Sequence, residues 1–332
     1  MEENIIIKIN KYRGELLGIA TIMIIITHSI SIINFSDIVK KIFAYGTQRV
    51  NVFLFLSGIG LYNSLKNKND KILFYKKRIE KVFIPYFVIA GIWYSLKYLI
   101  FEKGEIIKFL YELSTLSFWM EHLGAWYVAF LIPLYFLYPF YFNYKKDKQY
   151  KYIYIFILFV ISVLIEKINL KLYLHLSQML VGLIVFFIGD YIAHYTCKNT
   201  FNDKKLLLFF ILFFIIKTTT PLKNIFFISA LAAGFLGIVI VILGAHFFAV
   251  WKNEKIYKVL IKIGNYSLES YLYNIFLIQA VKYFKIKEII KIFNNIFLNE
   301  VIIYLGVIIL GFIFSMCTRK LIDFFIKTIK KY

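Results

Sequence analysis

Cysteine, proline and acidic residues are scarce in this sequence of 332 residues. There are two cysteines and four prolines, and the 19 Asp and Glu are outnumbered by 40 Lys and Arg. Two cysteines provide neither a disulfide framework nor the ligand spacing of a metal site. The chain also lacks a glycine-rich phosphate loop, an HExxH zinc motif and a nucleophile-elbow serine. These absences exclude the enzyme classes that carry those motifs.

Long apolar runs dominate what is present. Hydrophobic residues make up 61% of the chain, and the mean hydropathy is +0.72, above the usual range of soluble domains. Ten runs approach or exceed the length that crosses about 30 Å of hydrocarbon. They cover residues 14–33, 43–65, 83–101, 124–142, 152–168, 177–194, 205–221, 225–250, 264–281 and 299–318. The fifth and the seventh are short enough to be re-entrant instead. The sequence therefore predicts an all-α integral membrane protein with about ten transmembrane helices.

The basic residues are unevenly distributed among the connecting loops. About two thirds of them fall on the N-terminus, the even-numbered loops and the C-terminus, which by the positive-inside rule makes both termini cytoplasmic. The densest cluster, KNKNDKILFYKKRIEK at 66–81, follows the second run. Topology and attraction to anionic lipids account for the net charge of +21, so it does not indicate nucleic-acid binding. No cleavable signal peptide is evident, and the first run is expected to remain as the first helix.

A histidine lies inside the first run, in YRGELLGIATIMIIITHSI at 12–30. His28 is about 21 Å from the predicted cytosolic start of that helix, in the outer half of the bilayer. An ionisable group at this depth is costly unless it faces the bundle interior or a wet cavity, so it is a candidate functional residue. The alternative is a neutral imidazole that is hydrogen-bonded to Thr27 or Ser29. Physical reasoning alone leaves both interpretations open.

Several stretches together resemble a known family of membrane enzymes. They are LLGIATIMIIITHS in the first run, RVNVFLFLSGIGLYNSL at 49–65, FYKKRIEKVFIPYF at 74–87, WYVAFLIPLYFLYPF at 126–140 and IGNYSLESYLYNIFLI at 263–278. In this order they are similar to membrane-bound acyltransferase family 3, whose members O-acylate surface and exported glycans. The resemblance implies a single transmembrane acyltransferase domain over residues 1–332, with no appended soluble domain.

The resemblance also implies an activity. We expect an O-acyltransferase, most simply an O-acetyltransferase, in the bacterial cytoplasmic membrane. It would move an acyl group from cytosolic acyl-CoA, in particular acetyl-CoA, to a hydroxyl of an exported or lipid-linked glycan, without a metal. Some relatives append an extracytoplasmic domain that completes the transfer, so this chain is expected to work alone or with a separate extracytoplasmic transferase. Membrane lipids are its other expected partners.

Within this family His28 becomes the expected base. A sugar hydroxyl is a poor nucleophile until its proton is removed, and histidine has a pKa suited to that task. In WMEHLGAWY at 119–127, Glu121 and His122 precede the fourth run at the same outer level. A carboxylate there would orient the imidazole and stabilise its charged form. The alternative for Glu121 and His122 is a solvated acidic loop.

Two positions depart from the family pattern. The family has an arginine eleven residues before the histidine, where this chain has Leu17, and the nearest arginine is Arg13. Arg13 is expected to reach into the bundle, balanced by Glu15 or Glu269, or else to act only as a topology signal. The family often has a histidine where this chain has Asn274, which cannot accept a proton. No acid-base role is therefore transferred to Asn274.

The segment KKRIEK supplies cations for the donor. Lys77 and Lys81 share a face if the segment is helical, and Arg78 adds a planar fork suited to phosphate. The resemblance assigns this segment to acyl-CoA recognition, and the alternative is simple topogenic charge. Two other functions remain open, a transporter or flippase of a lipid-linked glycan and an O-antigen-type polymerase. Neither of them requires His28 to act as a base.

Overall fold

The computed structural model is helical in the residues that it describes, and no strand occurs in them. These residues are 4–44, 50–67, 70–121, 124–145, 153–196, 203–219, 225–251 and 253–330. In chain order the helices are α1 (Ile5–Lys11), α2 (Arg13–His28), α3 (Asp37–Ala44), α4 (Val50–Asn67), α5 (Lys71–Arg78), α6 (Ile84–Tyr94), α7 (Ile106–Leu113), α8 (Leu116–Glu121), α9 (Trp126–Lys145), α10 (Ile153–Ile168), α11 (Leu170–Tyr195), α12 (Asp203–Thr219), α13 (Phe226–Val250), α14 (Glu254–Asn265), α15 (Ser267–Tyr283), α16 (Ile286–Ile289) and α17 (Ile296–Ile329).

Each predicted apolar run contains most or all of one helix, and these ten helices are α2, α4, α6, α9 to α13, α15 and α17. Five helical segments in the described residues are long and apolar enough to cross a membrane: Arg13–Ser31, Lys71–Phe101, Leu176–Tyr195, Phe226–Val250 and Ile296–Ile329. By contrast α10 and α15, with 16 and 17 residues, are only about 24–26 Å long, less than the hydrocarbon thickness. The all-helical class is confirmed, while the count of ten spans and the cytoplasmic termini stay predictions.

The third membrane segment begins well before its predicted start at residue 83. It is continuous from Lys71 to Phe101, because α5 joins α6 through a π-helical turn at Ile79–Phe83. A proline has no amide proton, and its ring clashes with the carbonyl four residues earlier. The wider π turn directly before Pro85 accommodates that ring. The basic segment is therefore an extension of a membrane helix.

The chain divides into two compact units. The first contains α1, α2 as far as Ala20, α4, the part of α9 from Leu137, and α10 to α14. In this unit α4 is buried on almost every face. Its Gly58 lies so close to α11 that a Cβ there would clash with the Phe186 carbonyl. Only a glycine permits this distance between the two backbones.

The second unit contains the remainder of α2, then α3, α5 to α8, the first part of α9, and α15 to α17. Within it α15 packs against both α17 and α6. The core cluster where α15 and α17 meet the end of α2 is apolar apart from one tyrosine hydroxyl. It comprises Ile32, Ile33, Ile278, Ile303, Tyr304 and Val307. This core holds α15 and α17 against the segment that follows His28.

Candidate active site

The imidazole of His28, the last residue of α2, is hydrogen-bonded to Asn274 of α15. The His28 Nδ1 atom lies 2.7 Å from Asn274 Oδ1. A carboxamide oxygen can only accept, so Nδ1 carries the proton and Nε2 has the free lone pair. This is the tautomer in which Nε2 can act as a general base.

The orientation of the Asn274 amide is set in turn by Tyr304 of α17. Asn274 Nδ2 donates to the Tyr304 hydroxyl over 3.3 Å, and that hydroxyl donates to the backbone carbonyl of Ile25 in α2. Because a backbone carbonyl can only accept, the direction of every bond in the series is fixed. The series runs from His28 through Asn274 and Tyr304 to Ile25, so three helices hold one imidazole tautomer.

An aromatic wall lies beside the imidazole. The rings of His28 and Tyr271 are 6.0 Å apart between centroids, and those of Tyr127 and Tyr271 are nearly perpendicular with centroids 5.9 Å apart. Tyr271 is 5% exposed and Asn274 is 2% exposed. Buried aromatic walls exclude water and strengthen the interactions of any polar group that remains between them.

The site lies deep within the second unit. Asn274 and Tyr304 are each about 12–14 Å along the helix axis from the adjoining ends of α15 and α17, at Tyr283 and Ile296. This distance places the hydrogen-bonded side chains between the helices rather than at their ends.

The predicted alternative partners of His28 are used elsewhere. The Thr27 hydroxyl donates to the Met23 carbonyl, and the Ser29 hydroxyl donates to the Ile26 carbonyl. Both bonds run back to the preceding helical turn, as is common for Ser and Thr in helices. The imidazole is bonded instead to Asn274, a residue on another helix, and the role of His28 as a base stays a prediction.

Glu121 is exposed at the end of α8, where its Oε1 accepts a hydrogen bond from Tyr111 at 3.2 Å. His122 lies outside the described residues. The structure gives the orienting role on the Nδ1 side of His28 to Asn274. A part for Glu121 and His122 in charge balance stays a prediction.

Arg13 begins α2, in the first unit, and its guanidinium reaches α4. Nη1 donates to the Leu56 carbonyl over 2.6 Å, and the fork covers Gly60, where a Cβ would come within 2.9 Å of Nη2. The side chain thus points into the helix bundle of its unit. A functional role for Arg13 stays a prediction.

Glu269 is one of the two carboxylates expected to balance the charge of Arg13. It forms an ion pair with Arg319 instead. In the second unit its Oε1 atom is 3.2 Å from Nη1 of Arg319, whose Nε is 3.3 Å from Asp323 on the next turn of α17. Glu269 is buried, and a paired carboxylate is far less costly there than an isolated one. The other candidate, Glu15, is buried in α2.

The guanidinium of Arg78 is held between two aromatic rings. It lies 5.0 Å from the centroid of Phe74 and 5.4 Å from that of Tyr135. Its Nε is buried and has no hydrogen-bond partner in the described residues. Stacking on aromatic faces fixes the plane of an arginine and leaves its N–H edge available to an anion.

Lys77 is exposed before the π turn and Lys81 is exposed within it. The segment is helical, as their predicted common face required. π-Helical turns inside longer helices are frequent at functional sites. Two cations, Lys77 and Arg78, therefore precede this turn and a third lies within it.

In the described residues no group of three or more His, Cys, Asp or Glu side chains could hold a metal ion. The site includes two tyrosines that sequence reasoning did not select. Tyr271 belongs to the stretch SLESYLYN that carries the family resemblance, and its place in that motif was the available signal. Tyr304 lies in an apolar run of α17 with no motif around it.

One comparison with known proteins identifies the family. A family model described as an acyltransferase domain, that of acyltransferase family 3, matches residues 17–320. No curated protein and no solved structure matches the chain. The matched range includes His28, Arg78, Tyr271 and Asn274, and it begins four residues after Arg13. The chain therefore belongs to acyltransferase family 3.

Proposed function

We propose that this protein is a membrane O-acyltransferase that moves an acyl group, with acetyl as the simplest case, from cytosolic acyl-CoA to a hydroxyl of an exported or lipid-linked glycan. The observation that carries the proposal is the bond from His28 Nδ1 to Asn274. It reserves Nε2 as a proton acceptor inside an apolar bundle. A transporter of the same glycan needs no such base.

The reaction transfers the acyl group from the sulfur of the thioester to the oxygen of the sugar hydroxyl. Nε2 of His28 takes the proton of the sugar hydroxyl while the hydroxyl oxygen bonds to the thioester carbonyl carbon. When the tetrahedral intermediate collapses, the C–S bond breaks and the proton passes from the imidazolium to the leaving sulfur. The products are the O-acyl glycan and free coenzyme A, so no further reactant is required.

The proposed donor site is the segment around Arg78. Coenzyme A carries phosphates at the end remote from its thioester, and a guanidinium held between Phe74 and Tyr135 suits such an anion. Lys77 and Lys81 add to the local positive potential. The long pantetheine arm of coenzyme A suits a thioester that must reach His28 inside the helix bundle.

The proposed location is the bacterial cytoplasmic membrane, with the donor on the cytosolic side and the acceptor arriving from outside. Transfer is either direct or relayed through a separate extracytoplasmic transferase. The buried side chains of Tyr271 and Asn274 beside His28 favour a hydroxyl that enters the bundle, such as that of a lipid-linked sugar.

Mass spectrometry of surface glycans, with and without the gene, tests the proposal. Loss of one acyl mass increment from an otherwise intact glycan is the expected result. Loss of the whole glycan would instead indicate transport or polymerisation. Purified protein in lipid nanodiscs with labelled acetyl-CoA and the isolated glycan should transfer label to the glycan, and the His28→Ala variant should not.

A further inference from the structure

Two hydroxyl groups beside the His28 site have no hydrogen-bond partner in the described residues. They are Ser270 Oγ and Tyr271 Oη, and both residues are at least nine-tenths buried, with 2% and 5% exposure. On α15 they precede Asn274 by four and three residues, so all three side chains share one face of the helix. That face carries the amide that binds His28.

Unpaired buried hydroxyls are exceptional in this unit. Tyr273 is bonded to Thr318, Tyr304 to Ile25 and Tyr86 to the Leu113 carbonyl. A buried hydroxyl without a partner destabilises the fold. A group that is retained in spite of this cost calls for an explanation, and a hydrogen bond to a bound substrate is one.

Tyr271 is the hydroxyl-bearing residue whose ring contacts the imidazole. The backbone amide of Tyr127 faces the same oxygen but does not meet hydrogen-bond geometry. Being a donor, that amide would leave the hydroxyl proton unpaired in any case. The Tyr271 hydroxyl therefore still needs an acceptor atom for its proton.

We infer that the Tyr271 hydroxyl donates a hydrogen bond to the carbonyl oxygen of the acyl donor and stabilises the negative charge that this oxygen gains. The inference rests on the proposed function. His28 Nε2 takes the proton from the attacking hydroxyl, and the electron pair of the carbonyl π bond moves to the oxygen that faces Tyr271. Tyr271 keeps its proton throughout and provides electrostatic stabilisation only. When the intermediate collapses, that electron pair reforms the carbonyl and the C–S bond breaks.

The test compares Tyr271→Phe with Tyr273→Phe in nanodiscs. Both changes remove one hydroxyl from α15, and Tyr273 makes its bond to Thr318 rather than to the site. Tyr271→Phe should lower kcat for acyl transfer by about 10²–10³-fold, the usual effect of removing one oxyanion donor. The KM for acetyl-CoA should stay within about twofold, because the bond strengthens only in the transition state. Tyr273→Phe should keep its activity.

Thermal unfolding supplies a readout that is independent of turnover. Loss of an unpaired hydroxyl should leave the Tm of Tyr271→Phe equal to or above that of the wild type, whereas Tyr273→Phe should lose stability. A Tyr271→Phe enzyme with near wild-type kcat, or one less stable than Tyr273→Phe, would overturn the inference and leave the proposed function standing. Absence of acyl transfer by the wild-type protein itself would overturn both.

Discussion

The Nδ1 atom of His28 and the Oδ1 atom of Asn274 are 2.7 Å apart and join the end of α2 to the middle of α15. Asn274 occupies a position where the family often has a histidine, and it cannot take a proton. It nevertheless determines which nitrogen of His28 is free to do so.

Replacing His28 should abolish acyl transfer without removing the protein from the membrane. His28→Gln retains an amide that can bond to Asn274 but has no base, so we expect a loss of about 10²–10⁴-fold in kcat. Transfer of labelled acetyl groups at matched membrane levels is the measurement. A loss of only about twofold would show that His28 is a structural residue, since general-base catalysis is worth far more.

Asn274→Leu should keep the fold of α15 but release the imidazole. Loss of a tautomer-fixing partner has lowered kcat by as much as about 10⁴-fold in a serine protease. Because a neutral amide is a weaker partner than that carboxylate, we expect about 10²-fold here. Asn274→His, which restores the residue common in the family, should retain part of the activity. Full activity in Asn274→Leu would mean that the bond to His28 has no catalytic role.

Replacing Arg78 should weaken binding of the acyl donor and leave binding of the glycan acceptor unchanged. A charged hydrogen bond is worth about 1.5–3 kcal/mol, so Arg78→Ala should raise the KM for acetyl-CoA about 10-fold or more and leave that for the glycan unchanged. Arg78→Lys should not rescue it, because lysine has neither the fork nor the stacking plane. Lys77→Ala, one residue away and exposed, is the matched control and should have a smaller effect. Equal donor KM values in all of these variants, with topology verified by cysteine labelling, would contradict a phosphate site at Arg78.

Activity should fall when Arg13 is replaced and when a side chain larger than that of glycine is introduced at Gly60. Arg13→Lys keeps the charge but cannot reproduce the guanidinium fork at the Leu56 carbonyl. Gly60→Ala keeps the arginine but adds a methyl group that would come within 2.9 Å of Nη2, so the guanidinium of Arg13 has to shift. Both variants should lose activity at matched expression. Arg13→Gln combined with Leu17→Arg, which restores the family spacing, should recover some of it. A fully active Arg13→Lys would restrict Arg13 to topology.

The positions of the helices could be read from the sequence, because a run of apolar residues longer than about 16 has few alternatives to a buried or lipid-facing helix. The sequence did not indicate the continuous helix that begins at Lys71. Its first turns are rich in lysine and were expected to be a connector, but exposed lysines are good helix formers, and α6 provides a nucleus from which the helix extends.

The candidate site was only partly predictable. His28 is conspicuous because a titratable group in an apolar run is rare. Its partners come from α15 and α17, more than 240 residues away along the chain, and no local periodicity encodes such a pairing. The ion pair of Glu269 with Arg319 was missed for the same reason.

The π turn at Ile79–Phe83 has a further consequence for Arg78. A π turn contains one residue more than an α turn, and each residue of an α-helix advances its azimuth by about 100°. The direction in which the Arg78 fork faces, relative to α6, is therefore decided by how many residues separate it from Pro85. Because the π turn already accommodates one extra residue within a single revolution, a second residue inserted there would leave the composition of the basic segment almost unchanged and rotate Arg78 by about 100° relative to α6. Recognition of the acyl donor would then depend on the rotation of the basic segment about the helix axis as well as on its charge.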